Sequence, residues 1–279
     1  MTASINDIHF QLTDICNRSC PYCFGAPPVH EPLVPFEQLT KILQRLQGYG
    51  LKNVSISGGE PLLYEKIDEL LDFLGRTNIN IYMSTNCDFY TTHRNSILSN
   101  VKSLAIPIDG SCNEIHNKTR GLGSFDNVLN TLQDVYEHSN IKLTIGTVYN
   151  IHNYKDLENI YKLLVPYYKK IRIWKIYEMI NYSRNTQNCI TIKPNLPFPN
   201  VQFENSKLNF KFYSTTERDG NYFLINPCGN VMVPTKKEEI FEEILIGNLF
   251  REDLQSIIDK WGEIADLNAY YNRYLNTEE

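Results

Sequence analysis

Three cysteines, Cys16, Cys20 and Cys23, stand in the spacing C-x3-C-x2-C on a loop directly after the apolar run 8–12. Three thiolates on one short loop can hold three corners of a cubic [4Fe–4S] cluster and leave the fourth iron open to a small molecule. Whatever fold carries them must present this loop at the edge of a cavity. A structural zinc ion is the competing use, and it takes four ligands in paired short spacings. No second cysteine pair exists, so His9 or His30 would have to complete such a site. Disulfides need an oxidising compartment, and no signal-peptide pattern is read at the start of the chain. Cys87, Cys112, Cys189 and Cys228 lie far apart, as reduced thiols in a reducing compartment do.

Apolar strand-like runs at 8–12, 53–57, 79–84, 103–108, 142–148 and 170–177 alternate with helix-like periodic segments at about 36–48, 65–75, 91–99, 124–138 and 153–164. Five helices between six strands imply parallel crossovers. The fold class expected is therefore α/β, a partial (β/α)6 TIM-like barrel over residues 1–180, with a doubly wound sheet as the alternative. In the fifth run Leu143 and Ile145 should face the helices and Thr144, Gly146 and Val148 the opposite, more polar side. After residue 180 the rhythm stops. Residues 181–279 read as an extension: an irregular, Asn- and Pro-containing segment (181–209), a hairpin of 222–225 and 231–233, and a terminal helix at 251–264.

The 279 residues carry 27 Lys+Arg against 32 Asp+Glu, a formal charge of −5 that lacks the basic footprint of a general nucleic-acid binder. A small molecule or peptide is the expected substrate. No apolar run approaches the ~20 residues needed to cross a bilayer, so a soluble cytoplasmic protein is expected.

Further stretches carry chemistry. In Ser57-Gly58-Gly59-Glu60-Pro61 adjacent glycines permit close backbone approach to a ligand, and Glu60 supplies an anionic acceptor. Ser84-Thr85-Asn86 ends the third strand with hydroxyl and amide groups suited to ribose, or simply turns the chain. Asp109 either contacts a substrate or caps the turn before Ser111. Ser124 suits an N-cap. In 171–177, alternation puts Lys175 and Tyr177 on one face and Arg172 and Trp174 on the other; a buried lysine needs a partner, whereas one at the rim does not.

The cysteine loop, with Tyr22 in C-x3-C-x-aromatic-C, resembles the signature of the radical S-adenosylmethionine (SAM) superfamily, and the GGE stretch extends the likeness. The resemblance implies one [4Fe–4S] cluster on Cys16, Cys20 and Cys23 whose open iron chelates SAM. An electron then cleaves the sulfonium, and a 5′-deoxyadenosyl radical abstracts a substrate hydrogen. It also implies an electron donor such as flavodoxin or ferredoxin. By resemblance Tyr22 packs near the adenine, Gly58, Gly59 and Glu60 hold the SAM amino group, Ser84 and Asn86 meet its carboxylate and ribose, and Arg120 of Arg120-Gly121-Leu122-Gly123-Ser124-Phe125 reaches the carboxylate. Trp174-Lys175 resembles viperin, in which the lysine helps hold phosphate. The tail resembles SPASM or twitch enzymes, but Cys189 and Cys228 alone cannot supply the four cysteines of a further cluster. Cys228 is either an inert thiol or a hydrogen donor like that of radical SAM peptide epimerases. The function expected is biosynthetic modification of a peptide. A viperin-like nucleotide dehydratase is the alternative, and a zinc-binding module without catalysis is a third.

Overall fold

The structure, a computed structural model, describes residues 4–23, 25, 29, 31, 33–179, 199, 203, 206–214, 222–237 and 240–272. Six strands run parallel in sequential order: β1 (Asp7–Gln11), β2 (Asn53–Ser57), β3 (Asn80–Ser84), β4 (Val101–Pro107), β5 (Lys142–Val148) and β6 (Ile171–Tyr177). Between them lie α1 (Phe36–Gly48), α2 (Ile67–Gly75), α3 (Tyr90–Asn100), α4 (Asn113–Arg120), α5 (Ser124–His138) and α6 (Leu157–Leu164). This is the expected partial barrel. Its sheet is not closed.

The barrel follows from two periodicities. Each strand buries one set of alternate side chains beneath the helices, as Leu143 and Ile145 do, while Thr144, Gly146 and Val148 line the opposite face. Each helix answers with an apolar stripe, such as Leu39, Ile42, Leu43 and Leu46 on α1. Complete burial of each such side chain contributes roughly 1.5–3 kcal/mol. Helix α4 was not expected, because its eight residues bury only His116 and Thr119 and so carry no apolar period.

Four more strands extend the sheet: β7 (Phe210–Tyr213), β8 (Leu224–Ile225), β9 (Asn230–Lys237) and β10 (Ile240–Asn248), giving the order β10-β9-β8-β1-β2-β3-β4-β5-β6-β7. The hairpin expected in the tail is β8 and β9. Strands β7 and β10 were not expected; Ile240–Asn248, IFEEILIGN, alternates too poorly to read as a strand. Most of 181–209 lies outside the described residues.

The hairpin attaches along β1. Strand β8 pairs in parallel with β1, His9 opposite Leu224, and α7 (Leu254–Ile264) packs against β9 and β10. Asp253 caps α7 by accepting from the Ser256 N–H at 3.0 Å. Trp261 is fully buried, donates Nε1–H to the Tyr222 carbonyl at 3.2 Å and meets the Phe223 ring edge-on. From α8 (Leu267–Asn272) the Tyr270 hydroxyl donates to the Asp7 carbonyl at 2.6 Å and accepts from the Asp7 N–H at 2.7 Å. No described helix is long and apolar enough to cross a membrane.

Candidate active site at the cysteine loop

A cavity of about 370 Å³ opens at the C-terminal ends of the barrel strands, where parallel barrels place their chemistry. Cys16, Cys20 and Cys23 line it, as do Tyr22, Gly58, Gly59, Glu60, Ser84, Asn86 and Arg120. Every residue expected around the cofactor thus lines one cavity.

The two glycines first serve the cysteine loop. A Cβ on Gly59 would lie 2.2 Å from the Ile15 carbonyl oxygen, and one on Gly58, at φ +143°, would lie 2.4 Å from that of Thr13. The loop approaches because the Gly59 N–H donates to the Thr13 carbonyl and the Glu60 N–H to the Ile15 carbonyl, at 2.6 and 2.8 Å. Glu60 then turns inward. Its carboxylate accepts from the Leu62 N–H, the Thr85 hydroxyl and the Asn86 N–H at 3.1, 2.7 and 2.7 Å, joining the ends of β2 and β3. Burial pushes its pKa up despite these donors. Asn86 carries the link onward by donating to the Asn17 side chain at 2.8 Å.

The sulfurs suit an iron–sulfur cluster. None of the three cysteines forms a disulfide, the Arg18 N–H donates to Cys16 Sγ at 3.4 Å, and the Gly25 N–H donates to Cys23 Sγ at 3.2 Å. Burial raises the Cys16 and Cys20 thiols, against the pull of the Arg18 N–H on the first and of Arg120 on the second. Metal coordination deprotonates such thiols outright. Among the described residues no three His, Cys, Asp or Glu side chains converge on a single-ion site. His9 pairs instead with the Ser57 hydroxyl at 2.7 Å on the cavity floor, and His30 lies outside the described residues.

Two carboxylates flank the loop, Asp88 partly buried and Asp109 fully buried. Asp88 takes a bidentate pair from Arg18 at 2.5 and 2.6 Å, with Asn17 and Asn127 also donating. Burial works to raise the Asp88 pKa, and these donors outweigh it and leave it lowered. Asp109, fully buried, accepts from the Tyr22 hydroxyl and from Arg120 Nε, the latter at 2.6 Å, and its other oxygen accepts from the Val148 N–H at 2.7 Å. It therefore neither caps the turn nor stands open to substrate. The Arg120 guanidinium also lies over the Tyr22 ring, 5.1 Å from its centroid.

Ser124 is not the N-cap of α5. Gly123, at φ +74°, takes that place, and the Ser124 hydroxyl bonds His116 Nε2 at 3.1 Å, while His116 Nδ1 accepts from the Asp109 N–H. Burial lowers the His116 pKa to about 4, so the folded chain binds fewer protons there than the unfolded chain. Its contribution is complete above the ordinary value and is lost as pH falls. Between about pH 7 and about pH 4.5 we expect roughly 2–3 kcal/mol of stability to disappear through this group. Urea titrations of wild type and His116→Gln at both pH values check this; an equally steep loss in the variant would reject it.

Strand β6 keeps most of the expected alternation. Tyr177 lines the cavity, and Trp174 is buried on the outer face with Nε1–H donating to the Thr147 hydroxyl at 2.9 Å. A register shift between Leu143 and Thr144 alters one position: Arg172 reaches Thr144 Oγ1 at 3.3 Å and lies over the Tyr82 ring, not beside Trp174. Lys175 pairs with Gly146 on the lumen side but does not line the cavity; its Nζ lies 5.2 Å from the Tyr213 ring centroid. Cys228 is not brought to the cavity. It is buried, its thiol donating to the Glu31 carbonyl at 3.3 Å. Cys189 lies outside the described residues.

The profile of the Radical SAM superfamily matches residues 10–164, more than half of the chain. The chain belongs to the radical SAM superfamily. It is an enzyme of that family, and its cofactors are a [4Fe–4S] cluster and SAM. It is 26% identical over 170 residues to the mycofactocin maturase MftC of Mycolicibacterium smegmatis, covering 60% of this chain and 43% of that protein. It is 25% identical over 242 residues to an S-adenosylmethionine-dependent nucleotide dehydratase of Flammeovirga pacifica, covering 81% of each. Its fold is similar to that of Streptococcus suis SuiB bound to the precursor peptide SuiA, with a TM-score of 0.69 at 17% identity over 97% of this chain and 66% of that one. The chain thus spans less than half of the maturase that it matches and about two thirds of SuiB.

Proposed function

We propose that this radical SAM enzyme modifies a peptide. Cys16, Cys20 and Cys23 hold three irons of the cluster. Gly58, Gly59, Glu60, Ser84, Asn86, Tyr22 and Arg120 surround SAM. Bound together, cluster and SAM supply a carbon radical able to abstract a hydrogen atom, and an electron donor such as flavodoxin or ferredoxin delivers the reducing electron. The chain's own part is to orient both partners and to shield them from water.

One observation carries the peptide reading. Beyond the cysteine loop the described cavity wall sets the polar groups of His9, Ser57, Thr144, Tyr177, Glu178 and Tyr222 among apolar strand residues such as Ile106, Pro107 and Val148, and carries no lysine. Its two arginines, Arg18 and Arg120, are each engaged by an aspartate, Asp88 and Asp109. Neutral donors and acceptors suit peptide amides, whereas a polyphosphate needs cations. The maturases among the relatives support the same reading.

A second reading keeps a specific footing. Lys175 and Lys211 lie in register on β6 and β7, both ammonium groups close to the Tyr213 ring, and the nucleotide dehydratase matches the greater part of both chains. Anaerobic assays with dithionite and SAM decide between the two. One arm offers short peptides encoded beside the gene, the other the four ribonucleoside triphosphates. Mass loss or cross-linking in a peptide, stoichiometric with 5′-deoxyadenosine, is the expected result; a dehydrated nucleotide instead would overturn it.

A further inference from the structure

We propose that Asp88 and Asp109 are positioning residues that hold the cysteine loop in its cluster-receiving shape before any iron arrives, one carboxylate for each arm of the motif. The arm between Cys16 and Cys20 is gripped through Arg18, which makes its bidentate pair with Asp88 while Asn17 adds a third donor. The arm between Cys20 and Cys23 is gripped through Tyr22, whose hydroxyl donates to Asp109. Arg120 couples the two arms: its carbonyl accepts from Arg18 Nη1 at 2.7 Å, its Nε donates to Asp109, and its guanidinium covers the Tyr22 ring.

Neither carboxylate belongs to the loop, and both are fixed to the barrel. Asp88 lies just after β3 and is held to α5 by Asn127 at 2.8 Å. Asp109 follows β4, accepts from the Val148 N–H at the end of β5, and is held through its own backbone by His116 and by Asn153, whose side chain donates to its carbonyl at 3.1 Å. The loop's shape is therefore dictated by the barrel. An unanchored loop would have to lose its conformational freedom while capturing iron, which would weaken and slow capture.

Asp88→Asn and Asp109→Asn test this in the full chain. Reconstituted variants are expected to lose iron to a chelator about 10- to 100-fold faster than wild type, the usual scale for residues that orient metal ligands. In the iron-free proteins, Cys20 is expected to react with an alkylating reagent about tenfold faster, read by mass spectrometry with Cys87 in the same chain as reference. Circular dichroism establishes that the variants fold; a merely structural role would accelerate both cysteines alike. Should either variant fail to fold, Tyr22→Phe removes one hydroxyl and leaves the ring in place, and about tenfold faster iron loss is expected from it. Wild-type iron loss and Cys20 labelling in the folded variants, or in Tyr22→Phe, would overturn the proposal.

Discussion

Replacing Cys16, Cys20 or Cys23 with alanine is expected to remove the cluster and with it all release of 5′-deoxyadenosine. Anaerobically reconstituted wild type should bind about four irons per chain, and each alanine variant less than about one. The effect is all-or-none because the three cysteines line one cavity and, among the described residues, no other cysteine lines it. Cys87 is buried, three residues past the end of β3, and the buried Cys228 thiol donates to the Glu31 carbonyl. Neither can replace a missing ligand without moving a strand or a turn. Cys112→Ala, outside the cavity, is the matched control and should keep full iron content. Iron analysis, the visible spectrum and 5′-deoxyadenosine yield after dithionite and SAM together check the assignment. A cysteine-loop variant that retained four irons and cleaved SAM would reject it.

The barrel was legible because strand and helix periods are written in apolar residues, which burial forces into register. The set Thr144, Gly146 and Val148 could be aimed into the lumen from alternation alone, and it lines the cavity. What alternation cannot see is a slip in register. Arg172 appeared to belong with Trp174, and the shift at Leu143 turns it toward Tyr82. Short elements held by polar contacts left no signal either. Helix α4 buries a histidine and a threonine, and strand β7 offers only four residues beside a long irregular stretch. The site shows the same division. Its cysteines and glycines stand in spacings that few other arrangements need. Asp88 is a solitary aspartate after a strand, and its meaning comes from Arg18, seventy positions away in the chain. His9 was readable in principle, since it shares parity with Asp7 and Gln11 in a polar set on β1; its pairing with Ser57 was not.

Glu60 is expected to matter twice, once for the fold and once for SAM. Its carboxylate satisfies two backbone N–H groups and a hydroxyl in a site that is 1% exposed. Glu60→Ala would leave the Leu62 and Asn86 N–H groups buried without acceptors. Each such group costs about 1–3 kcal/mol, so a loss of roughly 3–5 kcal/mol is expected from a domain stabilised by some 5–15. Because Asn86 reaches Asn17 in the cysteine loop, the cluster spectrum should change too, contrary to what a purely SAM-contacting glutamate would give. Glu60→Gln is the cleaner probe. One amide oxygen still accepts, while the NH2 group faces a donor, and roughly 2 kcal/mol should be lost. Burial raises the Glu60 pKa against the pull of Asn86, Thr85 and Leu62. The folded chain therefore holds this proton more tightly than the unfolded chain, and the group's contribution to stability declines as pH rises through the raised value. A cationic ligand beside the carboxylate would offset the cost that burial places on its charged form. An ammonium group placed there would gain a charge-assisted hydrogen bond of about 1.5–3 kcal/mol. Glu60→Gln should accordingly weaken SAM binding about ten- to a hundredfold, measured by anaerobic equilibrium dialysis on variant that has retained its iron. Unchanged SAM affinity would reject the ammonium contact, and an unchanged urea midpoint would reject the link between β2 and β3.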